Sequence, residues 1–483
     1  MDKSTVVKNF GWRLFERCGA QGVTFIVSIV LARLLDPSVY GTIALVTVFT
    51  IIMQVFVDSG MGNALIQKKN ADDLDFSSVF WFNMAMCSVL YLIMFVSAPF
   101  IASFYNKPEL TPVVRVLSLI LIISGIKNVQ QAYVSRNMLF KRFFFSTLGG
   151  TIGAAAVGIT MAYLGYGVWA LVAQMLFNTA VDTTILWITV KWRPKKQFSL
   201  QRLKGLFSFG WKLLVSQLID TVYNQARQLI IGRMYTSSDL AQYNQGKKFP
   251  EIIVTNINTS IDSVLLPTMS KAQDDPSVVK SMTRRAIKTS TYIMMPFMVG
   301  LAVCAEPLVS LILTDKWLPC VPFLRIFCFS FAFYPIHTAN LNAMKALGKS
   351  DLFLKLEIIK KIIGITAILS TMWISVMAMA YSLFVTSVLS QIINSWPNKR
   401  LMNYSYLEQL KDMLPQIGVS IFMGAIVLGV QFIGLKSGLT LLIQISLGIF
   451  IYVACSKLFH IDSYEYIVST VKGLFGKHKK KEV

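Results

Sequence analysis

Apolar stretches of roughly the length needed to cross a bilayer recur from one end of this chain to the other. A spanning helix needs about 20 mainly apolar residues. No polar block is long enough to form a separate soluble domain, and the longest mostly polar interruptions, 191–205 and 264–285, read as loops. Since every backbone N–H and C=O inside lipid must be paired within the protein, repeated long apolar runs imply helices. We read fourteen, at about 8–33, 40–65, 77–97, 112–133, 143–164, 167–190, 206–232, 241–263, 284–304, 319–344, 355–373, 375–396, 414–434 and 438–458. Gly165-Tyr166-Gly167 and Lys436-Ser437-Gly438 read as tight turns between antiparallel neighbours.

The formal charge of +22 raises the possibility of a nucleic-acid partner, and the distribution argues against it. In alternate loops one side collects 32 Lys and Arg residues and the other 6, with 8 inside helices, out of 46. That asymmetry is the positive-inside pattern and places both termini in the cytoplasm. No cleavable signal follows the first apolar run. The six cysteines lack CxxC spacing and His partners, so zinc and redox motifs are not indicated. They read as small buried hydrophobes. Cys304 and Cys320 both lie toward the outer face, and a bridge between them is left open.

An internal repeat sets the expected architecture. Phe10-Gly11-Trp12-Arg13-Leu14 recurs as Phe209-Gly210-Trp211-Lys212-Leu213. Gln21 then matches Asp220, Thr24 matches Tyr223 and Ser28 matches Arg227, in steps of three or four that make a polar stripe on each helix. A weaker match sets Val114-Arg115-Val116 against Leu324-Arg325-Ile326, and Lys127 against His337. The repeating unit is thus six helices, and an even number inserts both copies the same way up. The expected fold is an all-α integral membrane protein with two pseudo-symmetric six-helix lobes around a central cavity. The expected divisions are 1–190 for the first lobe, 191–205 for a basic cytoplasmic linker and 206–396 for the second lobe. Two extra helices occupy 397–460, and a basic cytoplasmic tail occupies 461–483.

A charged side chain at the bilayer centre costs roughly 2.5–3.5 kcal/mol on insertion scales, so such residues face a wet cavity or a partner. The candidates to line a substrate cavity are Arg13, Arg17 and Gln21, Lys127, Lys212, Asn224 and Arg227, and His337. Arg13 and Lys212 lie close enough to the cytoplasmic end that snorkelling to the headgroups competes with substrate contact. His337 alone would read as a packed histidine; its match to Lys127 brings it into the set. The deep set is net positive, which suits a phosphate or diphosphate. Glu16, Asp58 and Asp220 are candidates to neutralise those cations or to bind a coupling proton or sodium ion. Walker A, HExxH and GxSxG signatures are absent from the sequence, and the short outer loops offer no obvious catalytic cluster, so the chain does not read as an enzyme.

Several segments resemble polysaccharide flippases. Leu31–Gly41 resembles the junction of their first two helices, and Asp58–Gln67 resembles the end of the second. Lys316-Trp317 through Pro322, Tyr334-Pro335 and Ala346–Ser350 resemble their tenth helix and its flanks. Together the chain is similar to the O-antigen and exopolysaccharide exporters of the multidrug/oligosaccharidyl-lipid/polysaccharide superfamily, including the colanic-acid and teichuronic-acid type. The resemblance implies translocation of an undecaprenyl-diphosphate-linked oligosaccharide from the inner to the outer leaflet of the bacterial cytoplasmic membrane by alternating access. It implies cations that hold the diphosphate, a role that falls on Arg17 and, less directly, on Arg227 and Lys127. Expected partners are that anionic lipid-linked oligosaccharide, membrane lipids, a coupling proton or sodium ion and polysaccharide polymerase machinery, with no nucleic acid and no cofactor. A drug/cation antiporter of the same superfamily is the main rival, disfavoured because its cavity should be acidic. A membrane glycosyltransferase or polymerase is the other.

Overall fold

The computed structural model describes residues 3–58 and 61–479; the side chains of residues 1–18, 209, 471 and 473–479 lie outside the description. Helices account for nearly all of it, and no strand occurs among the described residues. The chain divides into two compact units, Met1–Ala241 and Gln242–Val483.

The first unit contains α1 (Lys3–Leu34), α2 (Pro37–Asp58), α3 (Met61–Gln67), α4 (Asp73–Phe104) and α5 (Leu110–Leu117). It continues with α6 (Leu119–Arg136), α7 (Phe140–Tyr163), α8 (Val168–Thr189) and α9 (Leu200–Met234). α10 (Ser237–Ser270) starts in the first unit and runs into the second. The second unit adds α11 (Pro276–Val303), α12 (Ala305–Leu313), a 3₁₀ turn at Asp315–Cys320, α13 (Val321–Ala332) and α14 (Tyr334–Ala346). It closes with α15 (Ser350–Thr371), α16 (Val376–Ser395), α17 (Asn398–Met402), α18 (Tyr406–Gly429), α19 (Ser437–Leu458) and α20 (Asp462–Lys479).

Ten of these helical stretches are long and apolar enough to cross a membrane among the described residues. Of the other long helices, α9, α10 and α15 carry polar and charged residues that dilute the apolar run, and α1 contributes a shorter apolar stretch, Gly19–Leu34. Ten plus these four is compatible with fourteen spans. Phe100, Ile188 and Phe432 are among many apolar side chains left exposed, as lipid-facing surface would be in a chain whose solvent is hydrocarbon.

Local chemistry starts and stops the helices. The Asp72 carboxylate accepts from the Asp75 backbone N–H while the Asp75 side chain accepts from the Asp72 N–H, a reciprocal cap on α4. Asp275 caps α11 just ahead of Pro276, whose missing N–H is one of the unsatisfied donors there anyway. The tight turn between α7 and α8 uses positive φ at Gly165 and Gly167.

The two units share an internal logic. In the first, α4 packs on α6, α7 on α8, and α6 on α8; in the second, α11 packs on α14, α15 on α16, and α14 on α16. α9 packs within the first unit, against α2, α3 and α4. The fourth span of each repeat, read as one continuous helix, is broken: at Ser118 between α5 and α6, and at Phe333 between α13 and α14, just before Pro335. The loop after 304 contains α12, and the basic tail is helical as α20. Cys304 and Cys320 are buried free thiols.

The connector before α9 is fastened down. Trp192 is buried beside Phe76 and Tyr133, and its Nε1 donates to Asp73 Oδ1 at 3.2 Å. The backbone N–H groups of Lys195 and Ser199 donate to Ser77 and Ser78, and Trp81 Nε1 donates to the Lys195 carbonyl. At the foot of α9, Arg202 lies 3.5 Å from Asp72 and 3.6 Å from the fully buried Asp75, which also pairs with Lys68 at 2.6 Å.

Candidate functional site

In the first unit, charged side chains of α2, α6 and α8 form one connected group. Lys127 on α6 reaches Asp182 on α8, Nζ to Oδ2 at 3.0 Å, with the two side chains 18% and 14% exposed. The second Asp182 oxygen is buried without a hydrogen bond. One residue on, Asn128 donates to Asp58 Oδ1 of α2 at 3.4 Å and accepts from the fully buried Asn83 of α4 at 3.4 Å. Gln54, one turn before Asp58, also hydrogen-bonds to it, and the Lys127 charge acts on the same carboxylate. A lone carboxylate and a lone ammonium would each be costly at this depth; joined, they form a neutral pair that retains directional charge.

A glycine sets the approach of α8. A Cβ on Gly150 of α7 would lie 3.0 Å from the Asn178 carbonyl and 3.3 Å from the Asp182 backbone nitrogen. Only the bare backbone lets α7 and α8 close to this distance and fix the height of Asp182.

The second unit repeats the arrangement in neutral form. His337 on α14, the residue matched to Lys127, has Nδ1 3.1 Å from Asn394 Nδ2 on α16, the helix corresponding to α8. The Tyr334 ring stands edge-on to the imidazole at 5.7 Å. Below it, the fully buried Asn340 donates to Ser395 and Gln409 and accepts from Asn398. Asn342 donates to Asp262 of α10 at 2.9 Å, much as Asn128 donates to Asp58.

The remaining candidates are placed as follows. Arg227 is buried on α9, at 7% exposure, whereas Lys212, Asp220 and Asn224 are exposed on the same helix. Gln21 is exposed on α1. Arg13, Glu16 and Arg17 also belong to α1, and their side chains lie outside the described residues. In the first unit the structure therefore links Lys127 and Asp58 and adds Asp182 and Asn83, and in the second it sets Asn394 against His337; the polar stripes included none of these three partners. Asp182 had a sequence signal: it is the one charged residue in the 22 of α8. No cluster of three or more His, Cys, Asp or Glu able to hold a metal occurs among the described residues.

Comparison with known proteins follows the same lines. A family model described as "Polysaccharide biosynthesis protein" matches residues 30–322. The succinoglycan biosynthesis transport protein ExoT of Rhizobium meliloti is 26% identical over 331 residues, covering 68% of this chain and 67% of its own. The teichuronic acid biosynthesis protein TuaB of Bacillus subtilis is 24% identical over 415 residues, covering 83% and 85%. Among solved structures, an inward closed conformation of the lipid II flippase MurJ superposes with a TM-score of 0.72 at 16% identity, over 95% of this chain and 99% of that one. This last likeness is one of fold.

Proposed function

Because this chain belongs to the polysaccharide biosynthesis protein family, we propose that it is a flippase that moves an undecaprenyl-diphosphate-linked oligosaccharide from the inner to the outer leaflet of the cytoplasmic membrane. The observation that carries the reading is the family match on a multi-pass helical fold like that of a lipid II flippase, with relatives named for succinoglycan transport and teichuronic acid biosynthesis.

In this reading two six-helix repeats alternate access to a central cavity, and both termini are cytoplasmic. The diphosphate meets arginine, whose planar fork binds phosphate oxygens in pairs that lysine does not reproduce. Arg17 is the first choice. At 1.5 Å per residue it lies about 20 Å along α1 from Lys3, a depth suited to a headgroup entering from the cytoplasmic leaflet. Arg227 and Lys127 follow; Lys127 serves only when the phosphate competes with Asp182 for its ammonium. Asp58, Asp220 and Glu16 remain the proposed positions for a coupling ion.

The test is a leaflet-resolved assay of lipid-linked oligosaccharide in a deletion strain complemented with variants. The wild type should restore the outer-leaflet pool, Arg17→Ala should not while still reaching the membrane, and Arg17→Lys should restore part. An outer-leaflet pool that is normal in the deletion strain overturns the transport reading; a fully active Arg17→Ala overturns the role of Arg17.

A further inference from the structure

In the second unit, α10 and α14 line an open recess of about 290 Å³ whose polar lining does not belong to the Lys127 or His337 clusters. Asn258, Thr259 and Asp262 contribute from α10, and Thr338, Asn342 and Lys345 from α14. Asn258 and Asp262 are four apart, as are Thr338 and Asn342, so each pair shares one helix face.

Both threonine hydroxyls and one Asn342 amide hydrogen are spent as donors, while two amide carbonyl oxygens beside them are unmatched. The Thr259 hydroxyl donates to the Thr255 carbonyl at 2.7 Å, and the Thr338 hydroxyl donates to the Tyr334 carbonyl at 3.4 Å. Asn342 is 1% exposed and spends an amide hydrogen on Asp262 Oδ1. Its own Oδ1 is buried and has no hydrogen bond, and the same holds for Asn258 Oδ1. The recess therefore presents the carboxylate of the exposed Asp262, two buried amide carbonyl oxygens and the lone pairs of two hydroxyls. Buried acceptors without a donor are costly, and such groups in a native structure call for an unseen partner.

We propose that this recess between α10 and α14 is a sodium-binding site, with Asp262 supplying the charge and Asn258, Asn342 and the threonine hydroxyls supplying neutral oxygens. The donor set selects the ion. It is all oxygen, so softer metals that want nitrogen or sulfur are poorly served. It has one carboxylate, where calcium sites commonly recruit several, and magnesium keeps most of its water. Lys345 is the only competing cation lining the recess. Its ammonium sits 4.7 Å from the centre of the Phe353 ring. The proposal does not depend on the transport reading, because binding is measured on the resting protein.

The experiment is thermal unfolding of the full chain in detergent, at constant ionic strength, in sodium, potassium or choline chloride. Sodium should raise the midpoint over choline in a saturable way, since a ligand of the native state stabilises by mass action. Asp262→Asn should abolish that response, and Asn342→Leu should raise the half-saturating sodium concentration at least tenfold. Lys345→Ala should lower it, because a competing positive charge is removed. Should Asn342→Leu fail to fold, radiolabelled sodium binding to Thr338→Val against wild type reads the same site, with weaker binding expected. Equal midpoints in all three salts, as a water-filled recess would give, overturn the site. So does a sodium response that survives Asp262→Asn.

Discussion

Replacing Lys127 with Met leaves Asp182 charged, mostly buried and without its only described ion-pair partner. At 3.0 Å the pair attracts with about 5.5 kcal/mol at an effective dielectric of ~20. Desolvation consumes much of that, so the intact pair adds little relative to apolar residues, but stranding one partner typically costs about 3–5 kcal/mol. Lys127→Met and Asp182→Leu should therefore each destabilise the protein by roughly that amount, and the double variant should return to within about 1 kcal/mol of the parent. Denaturant titration of the three variants in one detergent gives the coupling energy. Single variants within about 1 kcal/mol of the parent, or a double variant equal to the sum of the singles, would refute a desolvated pair. The same proteins separate structure from transport. If the double variant is stable yet fails to export, Lys127 also serves the substrate; if export returns, the pair only holds the lobe together.

Gly150→Ala should push α8 from α7 by a few tenths of an ångström or more and cut export through the displaced Asp182, while Gly165, in the turn beyond, tolerates Asn better than Val because it needs positive φ. Residues near 200, 275, 350 and 405 should resist external cysteine labelling in intact cells; reaction at two or more of them refutes the topology. The Lys288 ammonium, through a hydrogen bond and its charge, holds the Asp462 carboxyl below its ordinary 3.8, and this ties the start of α20 to α11. A depressed native pKa stabilises above the ordinary value and is lost as pH falls below it, so a spin label at Ser469 should gain mobility from about pH 4 downward. Lys288→Met should remove that pH dependence; an unchanged transition would break the assignment.

The spans were legible because hydrocarbon demands long apolar helices, and a six-helix repeat was read from the likeness of Phe10–Leu14 to Phe209–Leu213. The Lys127–His337 match had a physical meaning that the sequence held only in part. Both residues project from the fourth span of a repeat toward the sixth, but one meets a carboxylate and the other an amide. A stripe analysis runs along one helix and misses partners on another, which is why Asp182 and Asn394 went unread. The breaks at Ser118 and Phe333 escaped for a related reason: an apolar run reports its length and says little about a local change in hydrogen bonding. The recess of Asn258 and Asn342 was invisible, since an unsatisfied carbonyl oxygen can be recognised only after every neighbour has been placed.

The fastening of residues 192–199 bears on how such a chain can be taken apart. On paper these basic residues look like the natural place to sever the protein or to splice in a reporter. With Trp192 lodged between aromatic rings and the backbone bonded to Ser77 and Ser78, the connector behaves as a rivet. A protease should find few grips on it despite its lysines and arginines. An inserted tag there would tear open the mouth of α4 and unseat Arg202 from Asp75, and an engineer wanting two separately expressed halves would do better to cut at a point the first half does not clasp.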